Sequence, residues 1–208
     1  MADVKITELT ELTSIVPEDV FPIVDDVAGT PITRKVTEKT LFNGRRLMSI
    51  VPAANFTLGT GIAVQSAFPS TGDVFTLEGA TSYFFEGFYY ITKSGTTCTT
   101  GMAFALAGGA TITSMKYTAL AQNVAKNTTG ATVGMVYSDR IAATVINATG
   151  TTDLQIQFKG ILRMEVGGTV TPQIIFSAAP TAPVMIADSY IRFTKVGTNV
   201  ENVVGSVA

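Results

Sequence analysis

Few residue types in this sequence are suited to acid–base or metal chemistry. The 208 residues include no histidine, the commonest general base and metal ligand, and a single cysteine, Cys98. Without a histidine to activate it, Cys98 is predicted to be a small buried or turn-flanking thiol and not a nucleophile. Catalysis would therefore depend on paired carboxylates, as it does in glycoside hydrolases. We expect no metal and no cofactor.

Glu86 is the one acid of the last 162 residues that lies among aromatic residues, in the stretch Tyr83–Tyr90. An acid in this setting looks like a sugar platform with a catalytic carboxylate. The alternative, which we favour, is an ion pair between Glu86 and a base of an adjacent strand or subunit, because no carboxylate pair is apparent. The sequence therefore predicts that the protein is not an enzyme.

The same stretch carries large side chains on both faces of a predicted strand. One face has Tyr83, Phe85, Tyr89 and Ile91, and the other has Phe84, Phe88 and Tyr90. One face can fill a core, but the other would leave a sizeable apolar patch on an isolated monomer, so we predict a subunit interface. The alternative is a central strand that is buried on both faces within one chain. The predicted interface residues are Tyr83, Phe85, Glu86, Phe88 and Tyr89.

Residues 55–208 are rich in Gly, Thr and Ala, and their apolar residues recur with a period of two, as in half-buried strands. Leu154–Val166 keeps one register for thirteen residues, and Gly160 in its middle indicates a bend or a close neighbour. Gly167-Gly168 is predicted to turn this strand into a hairpin with residues 169–176. Further strands are expected at about 74–77, 83–91, 102–106, 111–119, 132–137, 141–146, 184–187 and 189–196. About eight to ten antiparallel strands of this kind predict an all-β jelly-roll sandwich.

Residues 1–46 differ, because they contain eight of the 16 acidic residues and six of the 14 basic ones. Apolar residues at spacings of three and four favour a short helix over Ile6–Val16, and another helix is possible from Thr37. Pro17, Pro22 and Pro31 interrupt any continuous element. We predict an extended arm with little regular structure, which becomes ordered on a larger partner. The domains predicted are therefore an arm, 1–46, and a head, 55–208.

The net charge of −2, with both signs interspersed, does not favour nucleic acid or a membrane as a partner. The sequence begins MADVKITELTEL, without a basic region followed by an apolar core, so no secretory signal is expected. We expect the protein to be made in a host cytoplasm.

The arm resembles the N-terminal attachment segment of bacteriophage fibre and decoration proteins. The resemblance lies in Lys5–Leu9, in the phrase Asp19–Asp25, and in Thr33–Val36 followed by Leu41-Phe42. It implies anchoring to other virion proteins, in the capsid, neck or tail. The anchoring residues expected are Ile6, Leu9, Leu12, Val20, Phe21, Ile23 and Val24.

The head is similar to C-terminal domains of tailed-phage fibre-like proteins, through Tyr83 with Glu86–Tyr89, Phe158–Arg163 and Gly167–Gln173. Such domains look like the tumour-necrosis-factor and complement-C1q jelly roll, which implies a trimer. Since no shaft separates arm and head, the resemblance implies a short head fibre or decoration knob, located in the virion. The alternative is a receptor- or glycan-binding tail-fibre or tailspike module that contacts a host surface glycan through aromatics such as Tyr117 and Tyr137.

Overall fold

A computed structural model of the chain describes residues 20–25, 32–37, 47–70, 72–123, 131–150 and 153–200. The chain divides into two compact units, Met1–Arg46 and Leu47–Ala208. No helix among the described residues is long and apolar enough to cross a membrane.

In the first unit, β1 (Val20–Asp25) pairs antiparallel with β2 (Ile32–Thr37), and Val20 lies opposite Thr37. Four of the predicted anchoring residues, Val20, Phe21, Ile23 and Val24, are therefore on β1. The other three, Ile6, Leu9 and Leu12, lie outside the described residues, as does the predicted helix over 6–16. Thr37, where a second helix was expected to begin, is the last residue of β2, and Leu41 and Phe42 lie outside the described residues.

The described residues of the second unit form thirteen strands in two antiparallel sheets. Eight strands form the large sheet: β3 (Leu47–Ile50), β4 (Phe56–Thr57), β7 (Thr81–Ser94), β9 (Thr111–Asn123), β10 (Ala131–Ser138), β12 (Leu154–Val166), β14 (Thr181–Met185) and β15 (Tyr190–Thr198). Five strands form the small sheet: β5 (Gln65–Ser66), β6 (Phe75–Leu77), β8 (Cys98–Ala107), β11 (Thr144–Gly150) and β13 (Gly168–Phe176). The all-β jelly-roll sandwich predicted from the sequence is confirmed. Its strand number exceeds the expected eight to ten because three short strands, β3, β4 and β5, lack a visible alternation.

The core lies between the two sheets, where alternate side chains of the long strands are buried. Phe85 of β7 is at its centre, with its ring stacked on Phe193 of β15 at 5.4 Å and edge-on to Phe104 of β8 at 5.5 Å. Tyr89 packs edge-on against Phe158 at 4.8 Å. Each buried aromatic ring contributes about 1.5–3 kcal/mol through the area removed from water, so this cluster holds the sheets together.

Gly160 of β12 marks a close approach, as its position in the sequence predicts. A Cβ at this position would lie 2.5 Å from the Cβ of Tyr117 and 2.7 Å from its Cα, and would also collide with the carbonyl oxygen of Lys116. Any residue larger than glycine would therefore push β9 away from β12.

The hairpin predicted at Gly167-Gly168 is wrong. β12 pairs with β7 and β9 of the large sheet, whereas β13 pairs with β5, β6 and β8 of the small sheet. The two glycines therefore carry the chain from one sheet to the other. At this corner a Cβ on Gly167 would lie 2.8 Å from the backbone nitrogen of Gly79, so the local need for glycine is a close backbone crossing.

One edge of β7 is shared by two strands, with β14 along its C-terminal part and β15 along its N-terminal part. Between them the chain leaves the strand, and Asp188 has a positive φ of 70°. The hydroxyl of Ser189 accepts a hydrogen bond from the backbone N–H of Tyr90 at 3.0 Å, and the N–H of Ile186 donates to the Tyr90 carbonyl at 2.8 Å. The break in the edge therefore leaves the Tyr90 backbone satisfied.

Candidate functional site

The outer face of the large sheet, turned away from the core, has a regular arrangement set by strand register. Residues directly opposite each other on neighbouring strands point to the same face, so they form rows across the sheet. One row, here called the apolar row, contains Met135, Leu120, Gln157, Phe88 and Tyr190. The next, the charged row, contains Tyr137, Thr118, Lys159, Glu86 and Arg192.

The apolar row lines a groove of about 540 Å³. Met135 is 79% exposed, and Phe88, Leu120 and Tyr190 are half-buried. Four large, partly exposed side chains in one line across five strands form a surface suited to another protein surface, since a monomer gains nothing by exposing them.

In the charged row, Glu86 lies between two bases. Its carboxylate forms an ion pair with Arg192, and Lys159 lies opposite Glu86 on the other side of β7. The side chains of Arg192 and Glu86 are 46% and 24% exposed, so this pair contributes at most about 1 kcal/mol to stability. The ion pair of Glu86 with a base from an adjacent strand is thus the alternative that the structure supports over a sugar platform.

A second groove, of about 710 Å³, lies on the other side of the charged row from the apolar row. We call it the basic groove, because Lys116, Lys159 and Arg163 line it and none of the described residues that line it is acidic. Its remaining walls are Phe84, Ile161, Tyr137, Ser114, Thr118, Tyr117 and Gly160.

Register brings the three cations of the basic groove together. Ile161 lies between Lys159 and Arg163 on β12 and directly opposite Lys116 on β9, so the cations surround one apolar side chain. In the described part of the chain, neither Lys116 nor Lys159 forms an ion pair. The guanidinium of Arg163 donates to the Asn199 carbonyl at 3.4 Å.

Tyr90 extends the outer face beyond the apolar row. Its hydroxyl donates to a carboxylate oxygen of Asp153 at 3.0 Å. Partial burial, followed by the bond to this carboxylate and its negative charge, raises the pKa of Tyr90. The group therefore remains a neutral hydrogen-bond donor well into the alkaline range.

The predicted interface residues of β7 divide between two environments. Tyr83, Phe85 and Tyr89 are buried in the sandwich core of one chain, whereas Glu86 and Phe88 lie on the outer face. The prediction that β7 contributes to a subunit interface stays a prediction, and only Glu86 and Phe88 are placed to serve it. Of the two aromatics suggested for glycan contact, Tyr117 is buried and Tyr137 is exposed at the basic groove.

The basic groove was missed by sequence reasoning. Lys116 lies more than 40 residues from Lys159 and Arg163, and only the pairing of β9 with β12 makes them neighbours. The outward positions of each strand could be recognised by alternation, but the partner strand could not.

No protein-family model matches the sequence, and a search of curated proteins found no match. Among solved structures, the chain is similar to the Eiger TNF of S. frugiperda, with 11% identity and a TM-score of 0.28 over 77% of this chain and 91% of that chain. It is also similar to the Gx strain of infectious bursal disease virus, with 10% identity and a TM-score of 0.18 over 86% of this chain and 45% of that one. At these scores neither similarity carries functional information.

Proposed function

We propose that the protein is a structural protein of a bacteriophage virion, a short trimeric head fibre or decoration knob. The arm, residues 1–46, attaches it to the capsid or neck, and the sandwich is displayed outward. The observation that carries the proposal is the pairing of an attachment-like arm sequence with a compact β-sandwich whose outer face bears the apolar row. The chain would be synthesised in the host cytoplasm and then incorporated into the virion.

Self-association would serve this role. Three arms on one trimer would act together, because binding of the first raises the effective concentration of the other two. The apolar row, with Glu86 and Arg192 beside it, is the surface proposed for contact between copies. An apolar row with a charged row beside it resembles the apolar core and polar rim of protein interfaces.

Deletion of residues 1–46 tests the proposal. The remaining head should be soluble and oligomeric but should fail to join assembling virions. In the full-length chain, replacing Phe21 and Ile23 together with serine should also reduce incorporation without changing the oligomeric mass. Incorporation of the deleted chain at the level of the full chain would refute the role of the arm.

A further inference from the structure

We propose that the basic groove binds an acidic saccharide. Lys116, Lys159 and Arg163 would hold the carboxylate, and the ring of Tyr137 would stack on the apolar face of a sugar ring. This inference does not depend on the virion role, since it rests only on the outer face of the large sheet.

The charge of the groove calls for an anionic ligand. From residue 47 onward the sequence contains eight acidic and eight basic residues. Three of the eight basic residues nevertheless lie together in this one groove. Glu86 is the acid opposite Lys159 in register, but its carboxylate pairs with Arg192 on the far side of β7. Long, exposed lysine side chains on a rigid sheet can close around a carboxylate with charge-assisted hydrogen bonds, which are stronger than neutral ones.

The walls of the groove favour a sugar over a simple anion. Tyr137 is 62% exposed, and Ile161 and Phe84 add an apolar floor. Ser114 and Thr118 supply hydroxyls that can pair with sugar hydroxyls. A volume of about 710 Å³ lies within the usual range for small-ligand sites. A nucleic acid would require a longer track of cations than these three.

The basic groove and the groove of the apolar row share Thr118 and Lys159 of the charged row, but Lys116 and Arg163 line the basic groove alone. Ile161, at its centre, is four residues along β12 from Gln157 of the apolar row, which is about 13 Å at about 3.3 Å per residue. Variants at Lys116 and Arg163 therefore affect the groove without touching the apolar row.

The test is an array of uronate- and sialate-bearing saccharides, each printed beside its carboxyl methyl ester, probed with the full-length chain. We expect binding to at least one acid and signals about tenfold weaker for its ester, because the ester keeps the sugar and loses the charge. Raising the salt concentration should weaken the binding, since exposed charges are screened. Equal binding to acid and ester, or binding to neither, would overturn the proposal.

Matched variants locate the site on the saccharide that the array selects. Lys116→Gln combined with Arg163→Gln should weaken binding by about tenfold or more, whereas Arg140→Gln, which removes one charge from an exposed residue outside the groove, should leave it unchanged. Tyr137→Ala should also lose binding, and Tyr137→Phe should retain it. If the double variant instead changes the oligomeric mass while saccharide binding persists, the groove faces a neighbouring copy and the proposal fails.

Discussion

Gly160 illustrates how a single residue sets the spacing of two strands. Replacing it with alanine would bring a methyl group against the backbone of Lys116 and Tyr117, which cannot move without separating β9 from β12. We expect Gly160→Ala to lower the free energy of unfolding by about 1–3 kcal/mol, as overpacking usually does, measured by urea denaturation. Gly72→Ala is the control, because nothing lies within 4 Å of a Cβ there. Equal stability of both variants would contradict the close approach.

The hydroxyls of two core tyrosines, Tyr89 and Tyr117, are buried without a hydrogen-bond partner among the described residues. Burial, together with the neighbouring Tyr117, raises the pKa of Tyr89 far above its ordinary value, so the folded protein keeps this proton. The unfolded chain releases it near pH 10, so the folded state is stabilised below that pH and loses stability as the pH rises above it.

Tyr89→Phe should therefore be at least as stable as the natural chain at pH 7, because it removes a desolvated hydroxyl. Above pH 10 the variant should lose less stability than the natural chain. The difference should be about 1.4 kcal/mol at one pH unit above the ordinary tyrosine pKa. The variant should still lose some stability at alkaline pH, since burial also raises the pKa of Tyr83. Denaturant titrations at pH 7 and pH 11 measure both effects, with Tyr137→Phe as the exposed control. If Tyr89→Phe and the natural chain lose the same stability between pH 7 and pH 11, Tyr89 is not a cause of the alkaline destabilisation.

At the scale of strands, alternation in the sequence was a sufficient guide where one face is buried and the other is wet. Leu154–Val166 was predicted with both its ends correct because apolar and polar residues alternate along its sequence, although its pairing with β9 shifts register beside Met164. The same rule failed at Gly167-Gly168, since two glycines serve equally for a turn within a sheet and for a crossing between sheets. Strands of two residues, such as Phe56–Thr57, are too short to alternate and exist only through pairing with β14.

The junction of β14 and β15 gives a further prediction, because the sequence does not reveal that these two strands share one edge of β7. Ser189→Ala would leave the partly buried N–H of Tyr90 without its acceptor, which costs up to about 3 kcal/mol. We expect faster amide exchange at Tyr90 and a lower unfolding free energy. Ser94→Ala, which loses a hydrogen bond at an exposed site, is the control and should change little. Unchanged exchange at Tyr90 would mean that the hydroxyl is not the acceptor that holds this edge.

At the scale of the whole molecule, the candidate surfaces depend on which strands meet, and this is what the sequence left open. The outward positions of β7, β9, β10, β12 and β15 follow from alternation, yet only the order of the strands in the large sheet turns Met135, Leu120 and Phe88 into one row. Sequence reasoning therefore identified Phe88 and Glu86 but assigned Tyr83, Phe85 and Tyr89 to the same surface, because it could not tell which face of β7 meets the small sheet.

The apolar row predicts how the chain assembles. If copies associate through it, Met135→Lys places a charge in the contact, where it would be desolvated without a partner. We expect the natural chain to have three times the mass of the 21.9 kDa monomer in solution, and the variant to dissociate at concentrations about tenfold or more above those of the natural chain. Ile62→Lys is the matched control, because Ile62 is 62% exposed on a loop outside the row. Analytical ultracentrifugation measures the mass of each variant, and both variants should keep the thermal stability of the natural fold. If Met135→Lys remains as trimeric as Ile62→Lys, the interface between copies does not lie on this face.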